Sequence, residues 1–372
     1  MKESIFSRLK RRVDFGYLVA LLISLAVALL IGAGILALTG RDPLKAFASL
    51  LGGSFSSPAY FGNMLEYAMV LCLCGLACDV GSRVGIFNVG GEGQLLLGGL
   101  VGAQIGVWMN GMSPWIVIPC AALGAIVTGG IYAFIPGVLK VKLKVNEVIT
   151  TIMLNSVAVF ICAFFAKGPW KNPSPRITEG TSVLAQDYML TKLIPRSNLS
   201  TAILVSAVLT FLVWYILQKT TKGYEMRLVG DNPRFARFAG LKADRIVIVA
   251  MIVSGMMCGL TGMFRVYGAI GKYQSSISNE YYFEGLMVAM IAQYQPIPTI
   301  IISLIFAILK LGAMRMEETV GVPIQIYLII QTAVIFCMAA ERGIRAAIQK
   351  RREKRAAERD VQTRREGGAA HE

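Results

Sequence analysis

One stretch limits this chain more than any other. YLVALLISLAVALLIGAGILAL, Tyr17 to Leu38, holds no charged residue. Crossing the hydrocarbon core of a bilayer takes roughly 17–25 apolar residues in a helix. In lipid the backbone amides of a single segment must bond within that segment, so such a run folds as a helix. A secretory signal has a shorter apolar core and a small-residue cleavage site. This run is longer and no clear A-x-A site follows it, so we read it as a retained first crossing.

Similar runs recur along the chain. Ten crossings are predicted, at roughly 17–39, 60–80, 88–109, 115–139, 145–166, 200–217, 246–269, 283–294, 297–312 and 322–341. The eighth and ninth are short and separated by Gln295-Pro296-Ile297-Pro298, which leaves a broken pair or a re-entrant hairpin. The fold class expected is an all-α polytopic membrane protein with broken or re-entrant segments. Composition agrees: 16% of residues are charged, against about a quarter in soluble proteins.

The net charge of +15 raises the question of nucleic acid. Its distribution argues for a membrane. Of the 37 basic residues, 26 lie before Tyr17, at Arg83, within 140–144, within 219–245 and after Ala340. Ten crossings put all of these on one side, together with both termini, and the positive-inside rule makes that side cytoplasmic. The basic tail lacks aromatic stacking partners, so no nucleic-acid partner is expected. The organisation predicted is a cytoplasmic N-terminus (1–16), a membrane domain (17–341) and a basic cytoplasmic tail (342–372). The tail is either a solvated stop-transfer signal or a helix leaving the membrane. Within the membrane domain, a proline-rich outer loop covers about 167–199 and a cytoplasmic segment about 219–245. PLKAFASLL, within Arg41–Tyr60, reads as a short helix lying on the outer surface.

Chemistry is sparse. All seven cysteines lie in apolar runs, where free cysteine behaves as a small hydrophobe. Cys72 and Cys74 fall on different helix faces, which disfavours a metal pair. The only histidine is His371, so chemistry needing a buried imidazole is excluded. No G-x-x-x-x-G-K-[ST] loop occurs; before Gly271-Lys272 the first glycine is replaced by Val266, and Tyr273 follows. Gly91-Glu92-Gly93 lacks the third glycine and the preceding strand of a dinucleotide site.

Three polar groups stand out. GIFNVGGEGQLLLGG, Gly85 to Gly99, places Phe87, Asn88, Glu92 and Gln94 among glycines. A carboxylate at mid-membrane costs roughly 2.5–3.5 kcal/mol on insertion scales. Each glycine costs about 1 kcal/mol relative to alanine in a helix. One reading is a broken or kinked helix start beside a pathway. The other is close packing through glycine, with Glu92 capping the new helix from its first turn. The second group, VNEVITTIMLN, puts Thr151 and Asn155 four apart on one helix face. Such a stripe either lines a conduit or bonds between helices. The third is YEMRLVGDNPRFARFAGLKADR, Tyr224 to Arg245. Asn232 suits an N-cap, Pro233 the first helical position and Gly240 the end of a helix of about two turns. Phe235, Phe238 and Ala239 are placed on one side of it, flanked by Arg234 and Arg237. A helix this short needs a surface to dock on, either lipid headgroups or a partner's groove. Ser254-Gly255 and Gly259 to Gly262 suit close packing along the seventh crossing. Glu280 and Glu284 either meet solute at the outer mouth or are solvated loop charges, and we expect the second.

GIFNVGGEGQLLLGG, NEVITTIMLN and VGDNPRFARFAGLKADRIVIVAMIVSGMMCGLTG, in that order and spacing, resemble the permease subunits of bacterial ABC importers. The likeness covers about residues 15 to 342 and is narrowest for the nucleoside branch, close to the simple-sugar (ribose-type) and branched-chain amino-acid permeases. It implies a path for a nucleoside or related polar solute, with Phe87, Asn88, Glu92, Gln94, Thr151 and Asn155 along it. It implies that Gly230, Asp231, Asn232, Pro233, Arg234, Phe235, Arg237, Phe238 and Gly240 form the segment that meets the ATPase. The partners implied are a second related permease, two cytoplasmic ATPase subunits or one duplicated ATPase chain, an extracytoplasmic solute-binding lipoprotein and the bilayer. No cofactor is expected in this chain; ATP–Mg belongs to the ATPase. A self-powered secondary transporter would want a buried carboxylate pair, where only Glu92 suggests itself. A membrane enzyme would want a nucleophile–base or metal set, and none is visible.

Overall fold

The computed structural model describes residues 42–173 and 179–323 continuously, with scattered positions between 26 and 37 and between 325 and 336. The N-terminal segment, the tail, most of the first predicted crossing and part of the last lie outside the described residues. The chain divides into two units, 48–315, and 1–47 with 316–372. In the second unit Leu36, Met316, Val322 and Tyr327 are buried.

The described secondary structure is helical, with one isolated bridge, Lys192 to Ser200. The helices are α1 (Pro43–Gly53), α2 (Pro58–Ser82), α3 (Gly91–Trp108), α4 (Pro114–Leu143), α5 (Glu147–Lys167) and α6 (Ala202–Lys219). They continue with α7 (Thr221–Asp231), α8 (Pro233–Phe238), α9 (Ala243–Arg265), α10 (Tyr281–Ile291) and α11 (Pro296–Val320). Six are long and apolar enough to cross a membrane: α2, α4, α5, α6, α9 with its continuation to Ile270, and α11. α3 has crossing length, but Glu92, Gln94, Gln104 and six glycines lower its apolarity.

Local chemistry sets the helix starts. Ser57 caps α2 by accepting from the Tyr60 amide (3.3 Å), with Pro58 at the first position. Asn146 caps α5 by accepting from the Val148 amide (2.9 Å). α4 ends on Lys144 in the left-handed region (φ 54°), with Lys140 and Lys142 in its last turn, where cations suit the helix dipole.

Burial grades the helices from inside to outside. The apolar window of α2 is 94% buried, whereas those of α5 and α6 are 22% and 17% buried. α5 and α6 therefore turn apolar side chains outward, including Phe160, Phe164, Val208 and Phe211. An apolar exterior of this kind is a lipid-facing surface. All four tryptophans lie near helix ends, as residues at membrane interfaces do. Trp108, Trp115 and Trp170 mark the upper end, and Trp214 lies toward the lower. The lower end also carries Arg83, Lys140 to Lys144 and the basic α7–α8 segment.

α9 packs on α4, α3 and α2. Its glycines meet those of its neighbours. A Cβ at Gly98 would sit 2.4 Å from Gly259, and one at Gly129 would sit 2.2 Å from the Gly255 carbonyl. At Gly262 it would lie 2.0 Å from the Leu95 carbonyl. The small residues expected to pack closely do so, backbone against backbone.

One element falls on the broken-pair alternative left open above, and one differs from expectation. The eighth predicted crossing is the 11-residue α10. At 1.5 Å per residue, a helix of this length reaches about half of a 30 Å core. The turn to α11 places Gln293 and Tyr294 both in the left-handed region (φ 55° and 54°), which breaks the helix between α10 and α11. α1 forms where a helix was expected but does not simply lie on a surface. Leu50 is buried, and its carbonyl would lie 1.7 Å from a Cβ at Gly312 of α11.

The described stretches 168–173 and 179–201 fold over the upper end. The Tyr188 hydroxyl accepts from the Gly111 amide (2.8 Å) and faces the Met109 and Met112 carbonyls. The Leu190 amide donates to Tyr267 (2.9 Å) and the Thr181 amide to Tyr273 (3.1 Å). Lys192 donates to the Gly268 carbonyl (2.5 Å), and burial holds its ammonium below the ordinary lysine range.

Candidate functional site

α3 begins inside the protein. The chain from Gly85 to Gly90 rises without helix to reach it, and Gly85 needs its positive φ of 76° to make the turn. At the top of this rise Asn88 is buried. Its amide donates to Gln94 (2.9 Å) and Ser254 (2.9 Å), while its carbonyl oxygen accepts from the Gly90 amide (3.1 Å) and from Gln94 (3.2 Å). Asn155 accepts from the Gly93 amide (2.9 Å) and donates to the Val89 carbonyl (2.9 Å). Thr151 turns its hydroxyl back to the Glu147 carbonyl (2.7 Å), and its Cβ lies beside Gly90. Free amides at the start of a buried helix need partners; here side chains from α5 and α9 meet α3 and the turn beneath it.

Glu92 does not cap its own helix. It accepts from the Ser278 hydroxyl and from the Tyr282 amide (3.2 Å), so its carboxylate lies at the N-terminus of α10. A negative charge there meets free amides and the positive end of the helix dipole. Tyr282 in turn donates its hydroxyl to the Asn88 carbonyl. The starts of α3 and α10 are thereby tied together inside the bundle. Phe87 differs from the others in being exposed, and it packs edge-on against Tyr294 at 5.7 Å.

A second polar cluster joins α2, α9, α10 and α11, and of its charges only Glu284 stood out in the sequence. Glu66 and Arg265 pair at 2.5 Å, both buried. The Arg265 guanidinium lies over the Tyr281 ring (4.8 Å), which meets Tyr67 edge-on (5.3 Å). Glu284 accepts from the Tyr67 hydroxyl and from Lys310 (3.1 Å). The expectation that Glu284 is a solvated loop charge is therefore corrected: it is buried in α10 and paired with α11. Asp79 of α2 accepts from Thr299 (2.9 Å), and its other oxygen is buried without a hydrogen bond. The signal was present, since each of these charges stands alone in an apolar run, and such residues face a partner or a cavity.

Below the bundle, α8 forms as its local code requires. Asn232 accepts from the Phe235 amide (3.0 Å), Pro233 takes the first position, and Gly240 closes the turn with φ 82°. Ala236 points inward, while Phe235 and Phe238 are 56% and 91% exposed. Arg237 is held by Asp244 (2.7 Å); Arg234 and Asp231 are exposed. Gly230, at the end of α7, lies against the base of the broken helix. A Cβ there would sit 2.3 Å from the Arg83 carbonyl and 3.3 Å from the Gly85 amide. The exposed α8 is thus two residues from a backbone contact with the rise that leads to Asn88. Among the described residues no His, Cys, Asp or Glu group could hold a metal ion.

Lipid-facing helices, discontinuous helix starts enclosed by protein and intramembrane charges define a polytopic membrane protein built to pass a solute rather than to anchor a domain. The chain belongs to the family described as branched-chain amino acid transport system permease components, whose profile matches residues 60–339. It is similar to the guanosine ABC transporter permease protein NupP of Bacillus subtilis, 29% identical over 91% of this chain and 97% of that one. It is likewise 29% identical to the nucleoside ABC transporter permease protein NupB of Lactococcus lactis, over 91% of this chain and 94% of the relative. A glucose ABC transporter permease protein of Haloferax volcanii is 28% identical over 84% of each chain. No solved structure gives a significant match. The chain is an integral membrane permease of an ABC importer.

Proposed function

We infer that this permease carries nucleosides, and that a separate cytoplasmic ATPase moves it by docking on α8. The solute class rests on NupP and NupB, the relatives matched over most of both chains. One observation carries the mechanical part: α8 presents two exposed phenylalanine rings outward, while Gly230 touches the base of the broken helix behind it. A push on α8 has a short route through α7 to Arg83–Gly90, and so to Asn88. In the arrangement described, Asn88, Gln94 and Asn155 satisfy one another or nearby backbone, and Glu92 is held by α10. Rocking of the permease against a second, related one would part these contacts and offer the amides to base edges, with Phe87 and Tyr294 as stacking surfaces. The basic lower end then faces the cytoplasm, and an extracytoplasmic binding protein delivers solute to the upper end.

The test is uptake into proteoliposomes holding this chain, its partner permease, the ATPase and the binding protein. Guanosine accumulates only with ATP inside, and excess glucose does not compete. Transport of glucose with no guanosine uptake would assign the sugar branch instead.

A further inference from the structure

Between α6, α7 and the first half of α9 lies a groove of about 620 Å³, backed by Val80 of α2. Its walls are apolar: Val213, Ile216 and Leu217 on one side, and Ile246, Val249 and Val253 on the other. The mouth at the lower end carries Lys222, Glu225, Lys242 and Arg245. Lys222 and Glu225 neutralise each other at 2.9 Å. Lys242 and Arg245 are exposed and form no ion pair or side-chain hydrogen bond among the described residues, so the rim keeps two uncompensated positive charges.

We propose that this groove binds one anionic phospholipid, its acyl chain along α9 and its phosphate on Lys242 and Arg245. Three features select that occupant. An apolar body with a cationic mouth is complementary to an anionic amphiphile, not to a neutral solute. The depth matches: Lys242 to Val253 spans 11 residues of helix, about 16 Å, close to one leaflet of a 30 Å core. The height matches as well, because Trp214 with Lys219 over its ring (5.9 Å) marks the headgroup level next to the mouth. Gly240 and Leu241 also line the groove, so the bound lipid touches the end of α8. That contact links the lipid composition of the leaflet to the docking segment. The proposal needs only that the chain is embedded in a membrane and does not depend on the identity of the solute.

Native mass spectrometry of the full-length chain, purified in mild detergent with whatever subunits accompany it, provides the test. Phosphatidylglycerol and phosphatidylcholine of matched acyl chains are titrated separately. One phosphatidylglycerol per chain is retained at concentrations where phosphatidylcholine is not. Lys242→Ala with Arg245→Ala weakens its retention about 25-fold, taking about five-fold for each basic residue at a membrane surface. Val249→Trp, which obstructs the groove without changing charge, weakens retention strongly, while Lys142→Ala outside the groove changes nothing. Equal retention of the two lipids would overturn the proposal, as would phosphatidylglycerol binding that survives both groove variants. Full displacement by inorganic phosphate would assign the mouth to a soluble anion, and binding seen only after accompanying subunits are stripped off would assign the groove to a protein contact. Either result also overturns the lipid.

Discussion

Glu92 shows what a single buried carboxylate does here. Its oxygens accept from Ser278 and the Tyr282 amide, so its role is to satisfy the start of α10. Glu92→Ala leaves a buried amide without a partner, which costs about 1–3 kcal/mol. Glu92→Gln keeps one oxygen that accepts. Thermal unfolding in detergent should therefore drop more for alanine than for glutamine; equal drops would show that acceptance is not the point. Glu284 and Lys310 make a sharper case, because Glu284 is buried and Lys310 is half-buried beside it. Glu284→Gln removes the charge that Lys310 faces, and breaking a fully buried pair costs roughly 3–5 kcal/mol, an upper bound for this half-buried one. Adding Lys310→Met to that variant should recover part of the loss, which a double-mutant cycle reads directly.

At the scale of elements, the bundle core depends on backbone approach and the lower end on one short helix. Gly259 leaves 2.2 Å between a hypothetical Cβ and the Ala125 carbonyl, so Gly259→Leu forces α9 off α4. Size-exclusion chromatography of a fluorescent fusion should show the folded peak lost, with Gly52→Ala, at a position open to space, far less affected. α8 lies at the other extreme. Its cap at Asn232 is worth about 1 kcal/mol, yet the helix buries little beyond Ala236. Phe235→Ser with Phe238→Ser should leave membrane insertion and unfolding temperature unchanged and abolish ATP-driven uptake. Normal uptake in that variant would refute the docking role. Asn232, Pro233 and Gly240 were legible in advance because capping and chain reversal are decided within a few residues. Neither the preceding α7 nor its contact through Gly230 could be read this way, since Gly230 matters through Arg83 and Gly85, far away in the chain.

For the whole molecule, the prediction concerns energy. Reconstituted alone, the chain should equilibrate or exclude guanosine but not concentrate it, under any proton or sodium gradient. Concentrative uptake without an ATPase would remove the present account. The sequence by itself determined the class. Long uncharged runs force helices in lipid, and clustered basic residues mark one end. It also located the glycine-rich break and the short capped helix, because both are local patterns. The tertiary structure decided which partners those residues meet. Glu92 belongs to α10 rather than to its own helix, Glu284 is a buried ion pair rather than a loop charge, and α10 reaches only part way. Periodicity cannot supply such pairings. A lone charge in an apolar run announces that it needs a counterpart, but only packing chooses among counterparts on helices brought together from distant parts of the chain.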